Sequence, residues 1–352
     1  MKEAVQHSPL QIAVRDVGIP KPAPGQILIR VVVSGTNPKD WKLPHFKIWG
    51  NDENDPKNHG DDIAGYIEAI GEGVIEFRPG ERVAAFHEMA SPHGSWAEYA
   101  IAWEYTTFHI PEQTSFEEAA TIPLTAMTAA IGLYQRLSLP LPWKPARAPM
   151  PLVVYGGSTA VGAFTIKLAR LSNIHSIVAV AGNGIPFVET LIDRAKGDII
   201  IDYRGEGGTL SNRIRNAVGL QPILHAYDAV GDKRSLQEIA SVMAKGGTIN
   251  TVQPVDKPET IPGWVVTVVT MVGTVHPGSR LADPAHDDAE FGYVLFRFFG
   301  RGLQKGRFTG HPFKVINGGL NGLETALKAL KAGKASAVKY VVKIEETDGV
   351  GI

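Results

Sequence analysis

The chain has 352 residues, of which 44% are hydrophobic and 20% are charged. These values are typical of a globular protein with a substantial core, and the length favours two domains. Its formal net charge of −1 excludes nucleic acid and anionic membrane surfaces as main electrostatic partners, and the absence of cysteine excludes disulfides, a cysteine nucleophile, iron–sulfur clusters and Cys-rich zinc sites.

No targeting or membrane segment is expected. Residues 1–7 lack the apolar stretch of a signal peptide. The longest apolar run, residues 264–275, is too short and too rich in Thr to span a bilayer. We therefore expect a cytoplasmic protein without a membrane partner.

The first third of the chain predicts β-structure. Residues 27–33 are rich in β-branched side chains and lie between two turn signals. Further strands are predicted at residues 63–70, after the turn at 78–81, and at 94–100. Many short strands separated by Gly and Pro are typical of a small barrel.

The pattern changes at Thr114. The sequence T-S-F-E at residues 114–117 predicts a capping box with Thr114 as the N-cap of a helix. Helical spacing then continues, with interruptions, to about Leu137, and a Pro-rich connection covers residues 139–149.

Predicted strands and helices alternate from Leu152 to about Val275, which is typical of a parallel, doubly wound sheet. The tail, residues 287–344, predicts two helices and a final strand at 339–344. In the alternating region the predicted strands are 152–155, 176–180, 198–202, 223–228 and 247–252, and the predicted helices are 160–171, 187–194 and 236–244.

A glycine-rich turn joins the first strand of the alternating region to its first helix. Read from Gly157, residues 157–162 follow the pattern G-x-T-x-x-G, with Thr159 in place of the middle glycine of a dinucleotide fingerprint. Such a turn brings backbone N–H groups and a helix N-terminus to a pyrophosphate. The alternative is a glycine-rich turn without a ligand. The predicted cofactor contacts are Gly157, Ser158, Thr159, Ala160 and Val161.

NADPH is the predicted cofactor. Folds that prefer NAD place Asp or Glu about 20 residues after the turn to hold the ribose 2′-OH. A carboxylate here would repel the 2′-phosphate of NADPH, but residues 180–184 (VAGNG) contain none. Gly182, Asn183 and Tyr203 are predicted contacts, with Arg204 beside them. The alternatives are a capped turn and an ordinary surface pair.

Five further motifs occur in order along the chain. They resemble motifs of the medium-chain dehydrogenase/reductase superfamily, in its zinc-free quinone reductase branch. The motifs are N-P-K-D at 37–40, G-D-D-I-A-G at 60–65, P-G-E-R-V at 79–83, G-S-W-A-E-Y at 94–99 and F-E-E-A-A-T-I-P at 116–123.

Residues 155–160, 137–142 and 311–315 are similar to fungal trans-acting enoyl reductases of the lovastatin-pathway type. The resemblance implies an α/β protein with a GroES-like β-barrel catalytic domain (1–125 and 285–352) and a Rossmann domain with a doubly wound parallel sheet (126–284). It also implies an active site in the cleft between these domains.

No metal is predicted, because the Cys ligands of the zinc-dependent members are missing. His59 with Asp61 or Asp62 is a weak candidate without an evident third ligand. Without a Lewis acid, a conjugated acceptor suits hydride transfer better than a simple alcohol or ketone, because the charge delocalises into an enolate or a hydroquinone.

The resemblance also indicates site residues. Lys42 resembles a lysine that would hold a carbonyl oxygen or deliver a proton; the alternative is a surface lysine. Thr128 resembles a threonine facing nicotinamide and substrate, or it is a helix-interior Thr bonded to a carbonyl. Asn37 is either a carboxamide donor near the cleft or a turn former. Lys339 resembles a lysine near the cofactor phosphates; the alternative is an edge-strand charge.

The leading prediction is therefore an NADPH-dependent enzyme that reduces the activated C=C bond of an enone or enoyl chain. The substrate would be a small molecule or a carrier-bound chain, with a polyketide synthase as the implied partner. An NADPH:quinone oxidoreductase and a non-catalytic, crystallin-like NADPH-binding protein are the alternatives. The sequence leaves open whether the protein is a monomer or a homodimer.

Overall fold

The computed structural model describes residues 1–7, 10–42, 56–206, 208–256, 258–277 and 287–350. The chain divides into two compact units, one made of Met1–Leu124 with Gly273–Ile352 and the other of Thr125–Val272. The predicted domain boundary at residues 284–285 lies outside the described residues. No helix within those ranges is long and apolar enough to cross a membrane.

The described part of the chain contains both strands and α-helices, most of them short. The strands are β1 (Lys2–His7), β2 (Gln11–Asp16), β3 (Gln26–Gly35), β4 (Asp62–Ile70), β5 (Arg82–Phe86), β6 (Tyr99–Trp103), β7 (Thr107–His109), β8 (Leu152–Tyr155), β9 (Ile177–Ala181), β10 (Ile199–Asp202), β11 (His225–Asp228), β12 (Thr248–Thr251), β13 (Val266–Val269), β14 (Phe313–Val315) and β15 (Lys339–Lys343). The α-helices are α1 (Pro38–Lys42), α2 (Phe116–Ala119), α3 (Pro123–Ala130), α4 (Ala160–Leu171), α5 (Ile185–Glu189), α6 (Leu210–Val218), α7 (Lys233–Ala240), α8 (Asp288–Gln304) and α9 (Leu323–Lys331).

The main sheet of the first unit has the strand order β14-β15-β3-β4-β5-β7, with β6 also paired to β3. All of these pairs are antiparallel except β14 with β15. Strands from both ends of the chain therefore share one sheet. Its core includes Ile27 and Ile29 of β3, Ile63 of β4, Trp96, and Leu327 of α9. The strands predicted around residues 27–33, 63–70 and 82–83 are confirmed.

The strand predicted at residues 94–100 is wrong for residues 94–98, since β6 begins at Tyr99. Gly94 and Ser95 bond to a neighbouring loop, whereas Trp96 O accepts from Ala4 N–H and Glu98 N–H donates to Lys2 O of β1. Ser95 N–H donates to Gly60 O at 2.8 Å, and Asn58 Nδ2 donates to Gly94 O at 3.0 Å. These bonds use backbone groups that a continued β-ladder would need.

The N-cap of α2 is Ser115, and the prediction of Thr114 is wrong by one residue. Ser115 Oγ accepts a hydrogen bond from Glu118 N–H at 3.1 Å. Glu118 would complete a capping box, but its Oε1 accepts from Gly310 N–H at 2.8 Å. A contact from the other end of the chain thus uses the carboxylate that local spacing assigns to the cap.

The sheet of the second unit has the order β10-β9-β8-β11-β12-β13, and all its neighbours are parallel. Numbered within the unit, this is the order 3-2-1-4-5-6 of a dinucleotide-binding Rossmann sheet. The predicted doubly wound sheet is confirmed. The order reverses at β8, so the crevice where such sheets bind ligands lies at the carboxyl ends of β8 and β11.

The helices of this unit follow the prediction only in part. α4 matches it, whereas α5 ends at Glu189 and α7 begins at Lys233, so both lie N-terminal to their predicted positions. α6 was not predicted, although Thr209 caps it and the buried residues Leu210, Ile214 and Val218 recur every four positions. That spacing was the signal for a helix. The antiparallel pair β1–β2 was also missed.

Candidate active site

The turn between β8 and α4 is built from two glycines and a capping threonine. Gly156 has a φ of 80°, and the N–H groups of Gly156 and Gly157 both donate to Val180 O, at 3.0 and 2.9 Å. Thr159 N–H donates to Gly156 O at 2.9 Å, and Thr159 Oγ1 accepts from Gly162 N–H at 3.0 Å. The glycine that the turn requires for its positive φ is therefore Gly156, one residue before the predicted motif begins.

Close packing also explains the last glycine of the motif. A Cβ on Gly162 would lie 2.2 Å from Gly156 O, a separation too short for any side chain. The turn therefore packs directly on the first residues of α4, a helix of 12 residues whose N-terminus lies at the carboxyl end of β8. A helix N-terminus in this position favours a pyrophosphate. Ser158, Ala160 and Val161 around it are partly exposed.

The ends of β9 and β10 bring the other predicted cofactor residues together. A Cβ on Gly182 would lie 2.6 Å from Tyr203 Cε1, so the tyrosine ring packs where only glycine fits. The Arg204 guanidinium donates to Asn183 Oδ1 and to both oxygens of Asp202, at 3.0 and 2.9 Å. Hydrogen bonds from Arg204 lower the pKa of Asp202 to about 2. No role was predicted for Asp202, whose negative charge is balanced by Arg204.

Thr128 is buried in α3, and its carbonyl oxygen accepts a hydrogen bond from Tyr227 Oη at 2.8 Å. Tyr227 is itself fully buried and packs on Gly132, where a Cβ would lie 2.3 Å from the ring. Gly132 belongs to a π-helical segment, Ile131–Arg136, that continues α3. π-Helical segments are frequent near functional sites. The backbone that carries Thr128 is thus held by a buried phenol.

A buried cluster connects Asn37, Asp62 and Lys339. Lys339 Nζ donates to Asp62 Oδ2 at 2.7 Å, to Asn37 Oδ1 at 3.0 Å and to Thr121 O at 3.5 Å. Asn37 Nδ2 donates to Asp62 Oδ2 at 2.6 Å, and Leu124 N–H donates to Asp62 Oδ1 at 2.8 Å. The Asn37 amide and the Lys339 ammonium thus have protein partners within the first unit. The alternative for Lys339, an edge-strand charge, is wrong because β15 lies between β14 and β3.

A second buried cluster surrounds Lys39. Its Nζ lies 2.6 Å from Asp61 Oδ2 and 2.9 Å from Asp40 Oδ1, and it donates to His59 O at 2.8 Å. Asp40 Oδ2 accepts from Asn37 N–H at 2.7 Å. Lys39 and Asp40 belong to α1, whereas His59 and Asp61 precede β4. The cluster therefore joins α1 to the segment that leads into β4.

Burial sets the protonation of this second cluster. It raises the pKa of Asp40 and of Asp61 to about 6, although the Lys39 charge acts in the opposite direction. For Lys39, burial alone would lower the pKa, but the charges of Asp40 and Asp61 outweigh it and raise the pKa above its usual value. Burial, with the charges of Lys39 and Lys57, lowers the pKa of His59 to about 3. His59 is therefore neutral at physiological pH.

Lys42 is the last residue of α1 and is partly exposed, with Nζ 5.6 Å from the ring centroid of Trp41. It lies on the same short helix as Lys39 and Asp40. The carboxylates of Asp61 and Asp62 are engaged by Lys39 and Lys339. Within the described ranges, no group of three or more His, Asp or Glu side chains could hold a metal ion.

The roles of Lys39 and Asp40 and the pairing of Lys339 with Asp62 were not predicted. The signal was present in the two motifs that contain them, since N-P-K-D and G-D-D-I-A-G place charged residues beside apolar strands that must be buried. A buried charge requires a partner. The identity of each partner could not be read from sequence, because Lys339 and Asp62 are 277 residues apart.

Relatives of known name match nearly the whole chain. The family model "Alcohol dehydrogenase GroES-like domain" matches residues 23–112. The chain is 41% identical over 325 residues to "Trans-enoyl reductase fsr4" of Gibberella fujikuroi, covering 92% of both proteins. It is 26% identical to "Lovastatin nonaketide synthase, enoyl reductase component lovC" of Aspergillus terreus, covering 91% of this chain and 89% of the relative.

Two solved structures have the same fold. An alcohol dehydrogenase superfamily protein from Novosphingobium aromaticivorans matches with a TM-score of 0.79 at 22% identity, covering 97% of this chain and 98% of that one. The CurK enoyl reductase matches with a TM-score of 0.74 at 18% identity, with the same coverage.

The GroES-like sheet, the Rossmann sheet and the turn at Gly156 define a medium-chain dehydrogenase/reductase. Enoyl reductases of this superfamily bind a nicotinamide cofactor. Within the superfamily, this chain belongs to the fungal trans-enoyl reductases, and it is an enzyme that reduces enoyl groups.

The raised pKa values of Asp40 and Asp61 predict a pH-dependent stability. A carboxyl whose folded pKa is about 6 binds more protons when folded than when unfolded, where its pKa is about 4. The free energy of unfolding that each contributes therefore falls as pH rises from about 4 to about 6 and stays low above that. Asp61→Asn removes one such group and should make this fall smaller.

Denaturant unfolding at several pH values between about 4 and 7 measures the effect, with Asp16→Asn as the control. Asp16 is exposed and pairs with Lys2 at the surface. The lowered pKa of His59 has the opposite effect, because it makes the free energy of unfolding of the protein fall as pH falls. Wild type and variant share this contribution, so it cancels in the difference between their unfolding free energies. Identical pH slopes for wild type and Asp61→Asn would contradict the raised pKa.

Proposed function

We propose that this protein acts in trans on an enoyl thioester carried by a polyketide synthase and reduces its α,β double bond with NADPH. The observation that carries the proposal is the similarity over 92% of the chain to a trans-enoyl reductase, together with a relative named as the enoyl reductase component of a nonaketide synthase. We propose that the first unit, Met1–Leu124 with Gly273–Ile352, is the catalytic domain and that the second, Thr125–Val272, is the cofactor domain.

The side chains and turns of the second unit fit a dinucleotide. The N–H groups of Ser158, Ala160 and Val161, at the N-terminus of α4, would hold the pyrophosphate, whereas those of Gly157 and Thr159 shape the turn through Val180 O and Gly156 O. Tyr203 would pack at the adenosine end, against Gly182. When bound, NADPH supplies the hydride.

Arg204 and Asn183 would bind the 2′-phosphate that distinguishes NADPH from NADH. The Arg204 guanidinium is exposed and already contacts Asn183, so both side chains can present N–H donors to one anion. Asp202 would otherwise repel the phosphate, but its charge is balanced by Arg204. This arrangement supports NADPH over NADH.

Lys42 would act on the substrate carbonyl. When hydride adds to the β-carbon, negative charge develops on the thioester oxygen, and a nearby ammonium stabilises it. The same group can donate a proton to the enolate. Thr128, held through its carbonyl by Tyr227, would position the acceptor. The amide of Asn37 is bonded to Asp62 and Lys339, so we assign Asn37 and Lys339 to the support of α1 and not to ligand contacts.

An acceptor panel tests this function. NADPH oxidation is measured with 2-butenoyl-N-acetylcysteamine, with a simple enone and with a quinone, and the products are analysed by mass. We expect turnover of the thioester with a product heavier by two hydrogens. Fast reduction of the quinone alone would favour the quinone oxidoreductase, and NADPH binding without any oxidation would favour the non-catalytic alternative.

The cofactor preference depends on Arg204. Wild type should bind NADPH at least tenfold more tightly than NADH, and Arg204→Gln should reduce that ratio at least fivefold, because it removes a cation and frees Asp202 to repel the phosphate. Fluorescence titration with both cofactors measures the ratio. Arg194→Gln, an exposed arginine paired with Glu189 in the same unit, is the control. Equal affinities in wild type would refute the assignment.

The role of Lys42 is tested by its removal. Lys42→Ala should lower kcat for the enoyl thioester at least tenfold, because the oxyanion loses its counter-charge, while the Kd of NADPH changes less than twofold. Stopped-flow turnover and the same titration measure the two quantities. Lys334→Ala, at an exposed lysine, serves as the control. Full activity of Lys42→Ala would remove Lys42 from the mechanism.

A further inference from the structure

α1 is too short to hold its own orientation. It has five residues, Pro38–Lys42, and isolated helices of this length are not stable in water. Its position must therefore come from contacts with the rest of the first unit. The proposed catalytic residue Lys42 is at its end, so whatever orients α1 also sets the place of Lys42.

Trp41 packs against the core near α9, and Lys39 makes polar contacts from α1 to the segment before β4. Its ammonium lies 2.6 Å from Asp61 Oδ2 and donates to His59 O at 2.8 Å, both on the segment before β4. It also lies 2.9 Å from Asp40 on its own helix, and Asp40 in turn accepts from Asn37 N–H. The Lys39 side chain is 16% exposed and that of Asp61 is 1% exposed, so water does not weaken these interactions as it would at the surface.

Apolar side chains could fill this buried site without any charged group, but the chain has Lys39, Asp40 and Asp61 there. The desolvation of an ammonium and two carboxylates offsets much of their attraction. Apolar residues of similar size would therefore stabilise the fold as well. The Lys39 ammonium instead fixes the orientation of α1, because its three oxygen partners from two segments allow one position of Nζ. The excess carboxylate also keeps the ammonium charged.

We propose that Lys39 is a positioning residue for the reduction, which fixes α1 against the segment before β4 and thereby holds Lys42 in place. The inference rests on the proposed role of Lys42. Lys39 itself would contact neither cofactor nor substrate, and its effect on turnover passes through Lys42.

A double-mutant cycle between positions 39 and 42 tests the proposal. The four proteins are wild type, Lys39→Met, Lys42→Ala and the double variant, with 2-butenoyl-N-acetylcysteamine and NADPH as substrates. Lys39→Met should lower kcat at least fivefold and change the Kd of NADPH less than twofold. The double variant should have the kcat of Lys42→Ala within twofold, because Lys39 has nothing left to position.

Two results would overturn the proposal while leaving the role of Lys42 intact. They are an unchanged kcat in Lys39→Met, and losses that multiply in the double variant. Full activity of Lys42→Ala would instead overturn the proposed function of Lys42 and this inference with it. Lys334→Met controls for the loss of a lysine in the same unit.

Lys39→Met leaves two buried carboxylates without their cation and can unfold the protein. Asp61→Asn is the second variant, because it keeps the Lys39–Asp40 pair and replaces the strongest contact to the β4 segment by a neutral one. In the same cycle with Lys42→Ala it should lower kcat at least threefold and show the same lack of additivity. Normal turnover of a folded Asp61→Asn variant, or losses that multiply in its double variant with Lys42→Ala, would overturn the proposal.

Discussion

The first unit depends on the burial of two ammonium groups beside three carboxylates where β4 begins. Lys39 pairs with Asp40 and Asp61, and Lys339 pairs with Asp62. Each charge removed from water is costly unless its partner lies at hydrogen-bonding distance. The chain can satisfy that requirement only when α1, the start of β4 and β15 meet, so these pairs select one arrangement of segments that are far apart in sequence.

The second unit uses a steric constraint in place of charge. Between Gly156 and Gly162 the backbone approaches itself so closely that a single methyl group would not fit. The approach places the N-terminus of α4 at the carboxyl end of β8, and the cap from Thr159 holds it there. At the neighbouring strand ends, the contact between Gly182 and Tyr203 follows the same rule. A turn made in this way depends little on pH or salt, because close packing and a neutral cap hold it.

These two kinds of constraint suit the two tasks of an enoyl reductase. Cofactor binding needs donors in a fixed place, which a turn of fixed shape provides. Reduction of a conjugated thioester needs a positive charge near the oxygen that becomes negative. A lysine on a short helix is mobile unless the helix is held, and the buried charges beside Lys42 would hold it. The buried charges that hold α1 would then also set the position of the proposed catalytic lysine.

The sequence by itself determined what local interactions control. The alternation of strands and helices from β8 onward, the helix α4 and the glycine-rich turn follow from apolar spacing and from the conformations that glycine and threonine allow. The order of motifs was enough to indicate the superfamily, and residues 155–160, 137–142 and 311–315 indicated the fungal enoyl reductases. The missed helix α6 had a local signal too, with Thr209 as its cap.

Tertiary structure alone decided the rest, because the deciding partner was distant. β6 starts at Tyr99 because the residues before it bond to Asn58, to Gly60 and to β1, and Glu118 Oε1 accepts from Gly310 N–H instead of capping its own helix. Lys339 lies beside Asp62 because folding brings β15 next to β3. Sequence spacing carries no information on which buried charge meets which. That choice is made by the free energy of burying them together.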